Sequence, residues 1–138
     1  MHITLEADYA LRIVDTLARS PDRMKAKAIS EIACVTLRFS LKILRKLTAC
    51  GIVRSYQGVY GGYELAKPME EISVYEVLES IDGPLMLNRC VLESGTCNRT
   101  PDKKCPYHHW FVRFTDQMRA QLSDIKIANV VKGSEVVA

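Results

Sequence analysis

The chain has 138 residues, of which 48% are hydrophobic and 25% charged, and 19 basic side chains exceed 16 acidic ones to give a net charge of +3. This length suits one compact domain, or a small domain with an appendage, and the composition excludes an intrinsically disordered chain. No apolar run approaches the ~18–20 residues that cross a membrane, and the N-terminus has no secretory apolar stretch. We therefore expect a cytoplasmic protein with no membrane partner, in which five cysteines need a reason other than structural disulfides.

The basic charge is concentrated in one segment. Residues 23–54 hold eight lysine and arginine side chains against Glu31 alone, a net charge of +7, whereas residues 67–138 carry −1. Such a positive face on an otherwise nearly neutral protein is typical of a polyanion binder, although charge alone fits a solvated surface equally well.

Helical periodicity runs through the first 50 residues. It predicts an amphipathic helix over 5–19, a shorter helix over 28–34 and a third over about 38–50 with Gly51 just beyond its end. Two short helices joined by a tight turn predict a helix-turn-helix. The apolar positions that we expect on the inner sides of the second and third helices are Ile29, Ile32, Ala33, Leu41, Ile43, Leu44 and Leu47. Cys34 and Cys50 lie within the same apolar patterns and are predicted to be core side chains.

Two β-prone runs follow, over 52–56 and 63–66, on either side of a glycine-rich turn. Three helices followed by a hairpin predict a winged helix-turn-helix, so the fold class is mainly α with a small β-hairpin wing. Ser73 and Glu76 have the spacing of a capping box that opens a fourth helix, which Gly83-Pro84 ends. This helix is expected to bury Val74, Val77, Leu78 and Ile81.

A long helix of about 17–20 residues is predicted from Pro106, giving a rod of roughly 25–30 Å. Its apolar stripe comprises Trp110, Phe111, Phe114, Met118, Leu122 and Ile125. Too little chain remains to cover this stripe, so we expect it to pack on a second subunit, the alternative being that it folds back onto the winged domain. The chain is thus divided into a DNA-binding domain over 1–82, a cysteine loop over 83–105, and a dimerisation helix with its tail over 106–138.

The cysteine loop has the spacing Cys90-x6-Cys97-x7-Cys105-x2-His108. Thiolates repel one another, so three of them in a polar loop usually converge on a cation, and soft sulfur ligands select zinc, copper(I) or an iron–sulfur cluster. Zinc sites usually contain tight C-x2-C pairs, whereas spacings of six and seven suit a larger cluster. Pro106 is a natural first helical residue, which places the Cys105 thiolate at a helix N-terminus, where the helix dipole lowers the pKa of a thiol.

These residues resemble the Rrf-type winged-helix transcription regulators, the family of IscR-, NsrR- and RirA-like iron–sulfur regulators. The resemblance covers nearly the whole chain. The segments that carry it are Tyr9-Ala10-Leu11, Lys42-Ile43-Leu44-Arg45-Lys46-Leu47, Gly58-Val59-Tyr60-Gly61-Gly62-Tyr63-Glu64-Leu65-Ala66 and the cysteine loop with His108. It implies a bacterial homodimer whose long C-terminal helices pair and whose cluster, [2Fe–2S] or [4Fe–4S], controls which operators are bound.

The resemblance leaves the fourth ligand open. In IscR-like members it is a histidine just after the third cysteine, which His108 matches and which favours a [2Fe–2S] cluster. In NsrR-like members it is an aspartate of the first helix, donated across the dimer, which Asp8 matches and which favours a [4Fe–4S] cluster. The wing also departs from the family pattern, because Gln57 stands where many relatives have an arginine before the first glycine.

The third helix is expected to enter the major groove of double-stranded DNA, with Arg38, Phe39, Ser40 and Lys42 nearest the bases. Arg45, Lys46 and Arg54 are expected on phosphates, and Tyr56, Gln57 and Tyr60 on the wing. A two-fold dimer predicts a pseudo-palindromic operator with half-sites about one helical turn apart.

The function predicted is therefore a sequence-specific regulator, with repression as its expected mode, that senses redox state, nitric oxide or iron through the cluster. The alternatives are a cluster-free or zinc-stabilised DNA-binding regulator, and a small redox protein that uses the cysteine loop. No catalytic constellation is evident, since serine, histidine and carboxylate residues form no plausible triad, so we do not expect an enzyme.

Overall fold

The computed structural model describes residues 2–92, 97–99 and 105–133. Within these ranges the chain forms six α-helices, one two-stranded antiparallel sheet and two short 3₁₀ turns, at Met69–Glu71 and Arg89–Val91. The helices are α1 (Leu5–Arg19), α2 (Ala26–Ala33), α3 (Leu37–Ala49), α4 (Val74–Asp82), α5 (Pro106–Asp124) and α6 (Ile127–Lys132). The strands are β1 (Val53–Tyr56) and β2 (Gly62–Leu65). The predicted fold class, mainly α with a hairpin wing after a helix-turn-helix, is confirmed.

The core lies where α1, α2 and α3 meet. Its largest fully buried side chains include Ile13, Ile29, Ile43, Leu44 and Leu47, each contributing roughly 1.5–3 kcal/mol of transfer free energy. Leu41 was predicted to face inward but is exposed, because it lies about 100° round α3 from the buried Ser40. Ile32 is likewise exposed, about 100° round α2 from Ala33.

Cys34 and Cys50 are both exposed, so their predicted place in the core is wrong. Each is the C-terminal cap of its helix, where the chain turns away from the core. Cys34 has the left-handed conformation, with φ 55° and ψ 46°, which makes the tight turn between α2 and α3 possible. Gly51, beyond Cys50, has φ +77° and so is the glycine after α3 that the sequence predicted.

The wing hairpin pairs Val53 with Leu65 and Tyr56 with Gly62. Met24, in the segment before α2, forms an isolated bridge with Tyr63, with hydrogen bonds of 3.0 and 2.8 Å between their backbones. A side chain at Gly62, where φ is +141°, would place its Cβ 2.7 Å from the Met24 carbonyl oxygen. The absence of a Cβ therefore lets the wing dock on the start of the helix-turn-helix.

Half of the predicted capping box of α4 is present. Ser73 Oγ accepts a hydrogen bond of 3.0 Å from the backbone N–H of Glu76, as predicted. The Glu76 carboxylate instead accepts a hydrogen bond from Lys67. Val77 and Leu78 are buried, whereas Val74 and Ile81 are half-buried against the core.

The chain returns to the winged domain after α5. The Ile125 carbonyl accepts a 2.8 Å hydrogen bond from the N–H of Val74, and the Ile127 N–H donates one of 2.8 Å to the Ile72 carbonyl. Ile127 is buried within the same core cluster as Ile13. The residues that follow α5 thus complete the core of the winged domain. No helix in the described ranges is both long and apolar enough to span a membrane.

Candidate nucleic-acid interface and cysteine site

Helix α3 presents a basic face to solvent. Thr36 caps its N-terminus by accepting a 3.3 Å hydrogen bond from the Phe39 N–H, and the burial of Ile43, Leu44 and Leu47 fixes the rotation of the helix. Arg38, Lys42 and Arg45 therefore lie on the outward side. Between them, the exposed side chains of Leu37, Phe39 and Leu41 line a shallow groove with the three cations. Guanidinium groups and apolar side chains on one helix face suit guanine edges and thymine methyl groups in a major groove.

Ser40 does not belong to this face. Its side chain is 0% exposed, and within the described chain its hydroxyl oxygen has no hydrogen-bond partner. Ser40 shares the inner side of α3 with Ile43, Leu44 and Leu47, at the helical spacing of three, four and seven residues. Its predicted role in base reading is therefore withdrawn.

An acidic and an aromatic side chain of α1 contact α3, the helix that is expected to enter the major groove. Glu6 Oε1 lies 2.8 Å from Lys46 Nζ and 3.5 Å from Lys42 Nζ. The hydrogen bond from Lys46 holds the pKa of Glu6 below its usual value, against the opposing effect of burial. The Tyr9 and Phe39 rings meet edge to face with centroids 6.0 Å apart. The charge and orientation of α3 thus depend on α1. This effect was not predicted, because no local pattern links an acid in the first turn of α1 to α3.

Some wing residues pack on the rest of the protein, and others are exposed at the tip of the hairpin. Tyr56 is half-buried: its hydroxyl donates a 2.7 Å hydrogen bond to Glu64, and the Arg23 guanidinium lies 3.3 Å from the centre of its ring. Arg54 is exposed, and its hydrogen bond with the Tyr56 hydroxyl raises its pKa. Gln57 and Tyr60 are exposed beyond this cluster. Arg23 was not predicted to support the wing, because it lies far from Tyr56 in the sequence and contacts it only in the folded chain.

A segment before the cysteine residues is fastened to α5. Thr115, fully buried in the middle of α5, accepts a 3.2 Å hydrogen bond from the N–H of Leu87. The Arg119 guanidinium donates one of 2.8 Å to the Leu85 carbonyl. The 3₁₀ turn that contains Cys90 follows directly, so its position is tied to α5.

Cys105 and His108 lie at the start of α5. Cys105 is the N-cap residue, Pro106 follows as the first helical residue, and the Cys105 carbonyl accepts a 3.1 Å hydrogen bond from the N–H of His108. His108 is half-buried, and its Nδ1 atom is buried with no hydrogen-bond partner in the described chain. His109, its neighbour, is exposed.

The cysteine loop is described only in part, since residues 93–96 and 100–104 lie outside the described ranges. Cys90, Cys97 and Cys105 are all half-buried. In the ranges that are described, no three His, Cys, Asp or Glu side chains come close enough to hold a metal ion. Asp8, the other candidate ligand, is half-exposed on α1 and forms an ion pair of 2.8 Å with Arg12.

The donor set itself suits an iron–sulfur cluster. Three thiols and one imidazole are the ligand types that hold such clusters. The buried Nδ1 of His108 has no hydrogen-bond partner among the described residues, an arrangement that normally carries a free-energy cost and that a bound metal would relieve. Cys90, Cys97, Cys105 and His108 are accordingly the residues that would hold the group.

Helix α5 carries an exposed aromatic stripe. Tyr107, Trp110, Phe114 and Met118 are exposed at intervals of three and four residues, and the Trp110 and Phe114 rings stack with centroids 5.8 Å apart. Thr115 and Arg119, about 100° round α5 from Phe114 and Met118, pack against the body of the protein. Among the described residues, α5 therefore packs on its own domain with one side, while the side chains of the stripe stay about half exposed.

A winged helix-turn-helix with a basic, outward-facing third helix defines a DNA-binding transcription regulator. The family model of Rrf2, described as an iron-dependent transcriptional regulator, matches residues 3–133, and the chain belongs to this family. It is 31% identical over 104 residues to the HTH-type transcriptional regulator NsrR of Shouchella clausii, covering 73% of this chain and 70% of that protein. These relatives are transcriptional regulators rather than enzymes.

Two solved structures share the fold. T. potens IscR superposes with a TM-score of 0.78 at 18% identity, covering 100% of this chain and 92% of that one. CymR (YrzC), the global cysteine regulator of B. subtilis, superposes with a TM-score of 0.76 at 19% identity, covering 96% and 97%. The names of these two fold neighbours point to different signals, so the fold alone does not identify the signal of this chain.

Proposed function

We propose that this chain is a homodimeric, sequence-specific DNA-binding regulator, cytoplasmic in location, that senses redox state, nitric oxide or iron through an iron–sulfur cluster. The observation that carries the DNA-binding part is the outward face of α3, where Arg38, Lys42 and Arg45 project from a helix whose rotation the core fixes. Arg38 is assigned to base edges and Arg45 to phosphates, with Lys46 and Arg54 adding sequence-independent affinity.

The sensing part rests on the start of α5. Cys105 and His108 lie one helical turn apart, and Cys90 lies in a turn that is fastened to the same helix through Leu85 and Leu87. A bound cluster would supply a redox-active, oxygen- and nitric-oxide-sensitive centre. Loss of that centre would release the loop on which Cys97 lies, and because the loop precedes α5, its order would bias how the two α5 helices of a dimer meet.

The dimer is supported by the aromatic stripe of α5. An exposed apolar row that includes Trp110 and Phe114 is unusual on a monomer and typical of an interface. Two copies related by a two-fold axis would present two α3 helices, which gives a pseudo-palindromic operator with half-sites about one helical turn apart.

The proposal is tested by purifying the full chain without oxygen, recording its absorption spectrum and measuring its iron, sulfide and zinc. A brown protein with iron and sulfide is expected; zinc alone would favour the zinc-stabilised regulator, and neither metal would favour a cluster-free one. Duplexes that the protein selects from a random-sequence pool then serve as the DNA probe. Failure to enrich any duplex would contradict the DNA-binding function itself.

A matched pair of cysteine variants tests the sensing step. Cys97→Ala is expected to change affinity for the selected duplex without changing the far-ultraviolet circular dichroism spectrum. Cys50→Ala, at an exposed position outside the loop, is expected to leave both unchanged. Equal DNA affinity of the cluster-loaded and cluster-free wild-type protein would contradict sensing.

A further inference from the structure

The tip of the wing consists of two apolar side chains with almost no protein contact. Val59 is 87% exposed and Tyr60 is 89% exposed. They are the central residues of a tight turn over 58–61, which is closed by a 3.0 Å hydrogen bond from the Gly61 N–H to the Gly58 carbonyl. An isolated exposed apolar residue is ordinary, but two adjacent ones at the end of a projecting hairpin are poised for contact with another molecule.

The turn is held in place from below. Lys25 Nζ donates a 3.0 Å hydrogen bond to the Gly58 carbonyl, across 33 residues of sequence. A Cβ at Gly61 would collide with the Tyr56 carbonyl oxygen, so the chain at this point packs as closely as a glycine allows. The strands beneath are fastened by the contacts of Tyr56 with Arg23 and Glu64. A tip ordered in advance loses little conformational entropy when it binds.

The surroundings of the tip hold two acids, Asp22 and Glu64, and three cations, Arg23, Lys25 and Arg54. Glu64 is engaged by the Tyr56 hydroxyl and lies 3.6 Å from Arg23, so its charge is compensated. Lys25 and Arg54 are exposed cations. Gln57, next to the turn, is exposed and uncharged. The tip thus combines two exposed apolar side chains with neighbouring cations. Such a surface suits the base steps of a duplex, which lie between two strands of phosphates.

We propose that Val59 and Tyr60 form an apolar wedge that enters the minor groove beside the half-site bound by α3 and partly unstacks one base step there. Apolar side chains inserted in this way bend the duplex, and pyrimidine–purine steps yield most easily. The wing therefore selects operators by deformability at that step, with Lys25 on a neighbouring phosphate. This inference rests on the proposed DNA-binding function.

The test uses the full-length protein and the duplex that the wild-type protein selects from a random-sequence pool, with 2-aminopurine placed in turn at the steps flanking each half-site. Binding of the wild-type protein is expected to raise the fluorescence at one flanking step, because unstacking relieves quenching. The double variant Val59→Ser/Tyr60→Ser is expected to lose this rise and to bind about tenfold more weakly, as for loss of one stacked base. The slope of log affinity against log salt should stay unchanged, since no phosphate contact is removed.

Two further variants keep the test specific. Tyr60→Phe retains the ring and is expected to keep both the fluorescence rise and the affinity; loss of either would mean that the hydroxyl makes a polar contact and would overturn the wedge. Val130→Ser, at an exposed position on α6, is the control and should behave as the wild-type protein.

The wedge is also overturned if the double variant binds and brightens the probe like the wild-type protein, or if its salt dependence becomes shallower. In those cases the DNA-binding function stands. If the wild-type protein enriches no duplex at all, the DNA-binding function and the wedge fail together.

Discussion

The Glu6 carboxylate of α1 lies 2.8 Å from the Lys46 ammonium of α3 and 3.5 Å from that of Lys42, so one carboxylate contacts two lysine side chains of α3. The same two lysines are assigned to DNA. In the proposed complex DNA and Glu6 would therefore compete for them, so we expect the acid to lower the attraction of α3 for any duplex, whatever its sequence.

Replacing Glu6 by Gln is expected to raise the affinity of the protein for a random-sequence duplex by up to about fivefold, because an ion pair that is partly open to solvent is worth roughly 1 kcal/mol. Fluorescence anisotropy at several potassium chloride concentrations measures this. Asp15→Asn is the matched control, since Asp15 forms an ion pair of 2.9 Å with Arg19 on the same helix but not with α3. An equal gain in DNA affinity in both variants would mean that the change in net charge, and not the contact of Glu6 with α3, causes the effect.

The same ion pair predicts a pH dependence of stability. The pKa of Glu6 is lowered in the folded protein by its hydrogen bond with Lys46, so the ionised carboxylate stabilises the folded state. This stabilisation is fully present above the usual glutamate pKa of 4.5 and is lost as the pH falls through the lowered pKa. Glu6→Gln should therefore melt at a lower temperature than the wild-type protein at pH 7. This difference should shrink as the pH is lowered below 4.5. A difference that grows on acidification would contradict the argument.

Thr115 predicts a stability effect in the middle of α5. Thr115→Val keeps the shape of the side chain but removes the acceptor of the Leu87 N–H, at an expected cost of about 1–3 kcal/mol in the free energy of unfolding. Urea unfolding followed by circular dichroism measures it. Thr115→Ser keeps the hydroxyl and should lose less. If serine is the worse substitution, the methyl group rather than the hydrogen bond stabilises this contact.

The stripe of α5 predicts a change of oligomeric state. Phe114→Glu places a charge among Trp110 and Met118 and is expected to convert a dimer to a monomer in size-exclusion chromatography with light scattering. Ala120→Glu adds the same charge about 120° round the helix from Phe114 and should leave the dimer intact. A wild-type monomer at micromolar concentration would contradict the proposed interface.

The fourth ligand can be identified with adjacent histidines. After anaerobic reconstitution, His108→Ala is expected to retain less iron and sulfide than the wild-type protein and to have an altered visible spectrum, because it removes the buried Nδ1, which has no hydrogen-bond partner among the described residues. His109→Ala, at the exposed neighbouring position, should resemble the wild-type protein. If Asp8→Asn loses iron while His108→Ala does not, the ligand is the aspartate.

The parts of the fold that local signals determine could be predicted from the sequence. Apolar periodicity and Ser20-Pro21 predict α1, and Pro106 marks the start of α5, because caps and periodicity act within one element. Ser40 shows a signal that was present but not used, since it continues the inward spacing of Ile43, Leu44 and Leu47. The exposure of Cys34 and Cys50 follows from where their helices end, and helix ends are the least certain part of a periodic pattern.

The candidate site divides in the same way. The ligand set that the cysteine spacing indicates stays a prediction, whereas the basic face of α3 could be predicted from the charge of residues 23–54. The contacts of Lys25 with Gly58, of Glu6 with Lys46 and of Arg23 with Tyr56 join residues far apart in the chain. No local pattern encodes such pairs, because they arise only when separate elements pack.

The bridge between Ser73 and Lys126 has a consequence for biosynthesis. Ile127 and Ala128 fill the core beside α1, so the DNA-binding unit still lacks part of its interior when the wing and α4 have left the ribosome. Contacts between residues this far apart in sequence slow folding, since a long loop must close before they form. The nascent protein thus reaches its complete core only after α5 and the residues around Cys105 have been made, so that the DNA-binding surface and the helix beside the cysteine loop mature together.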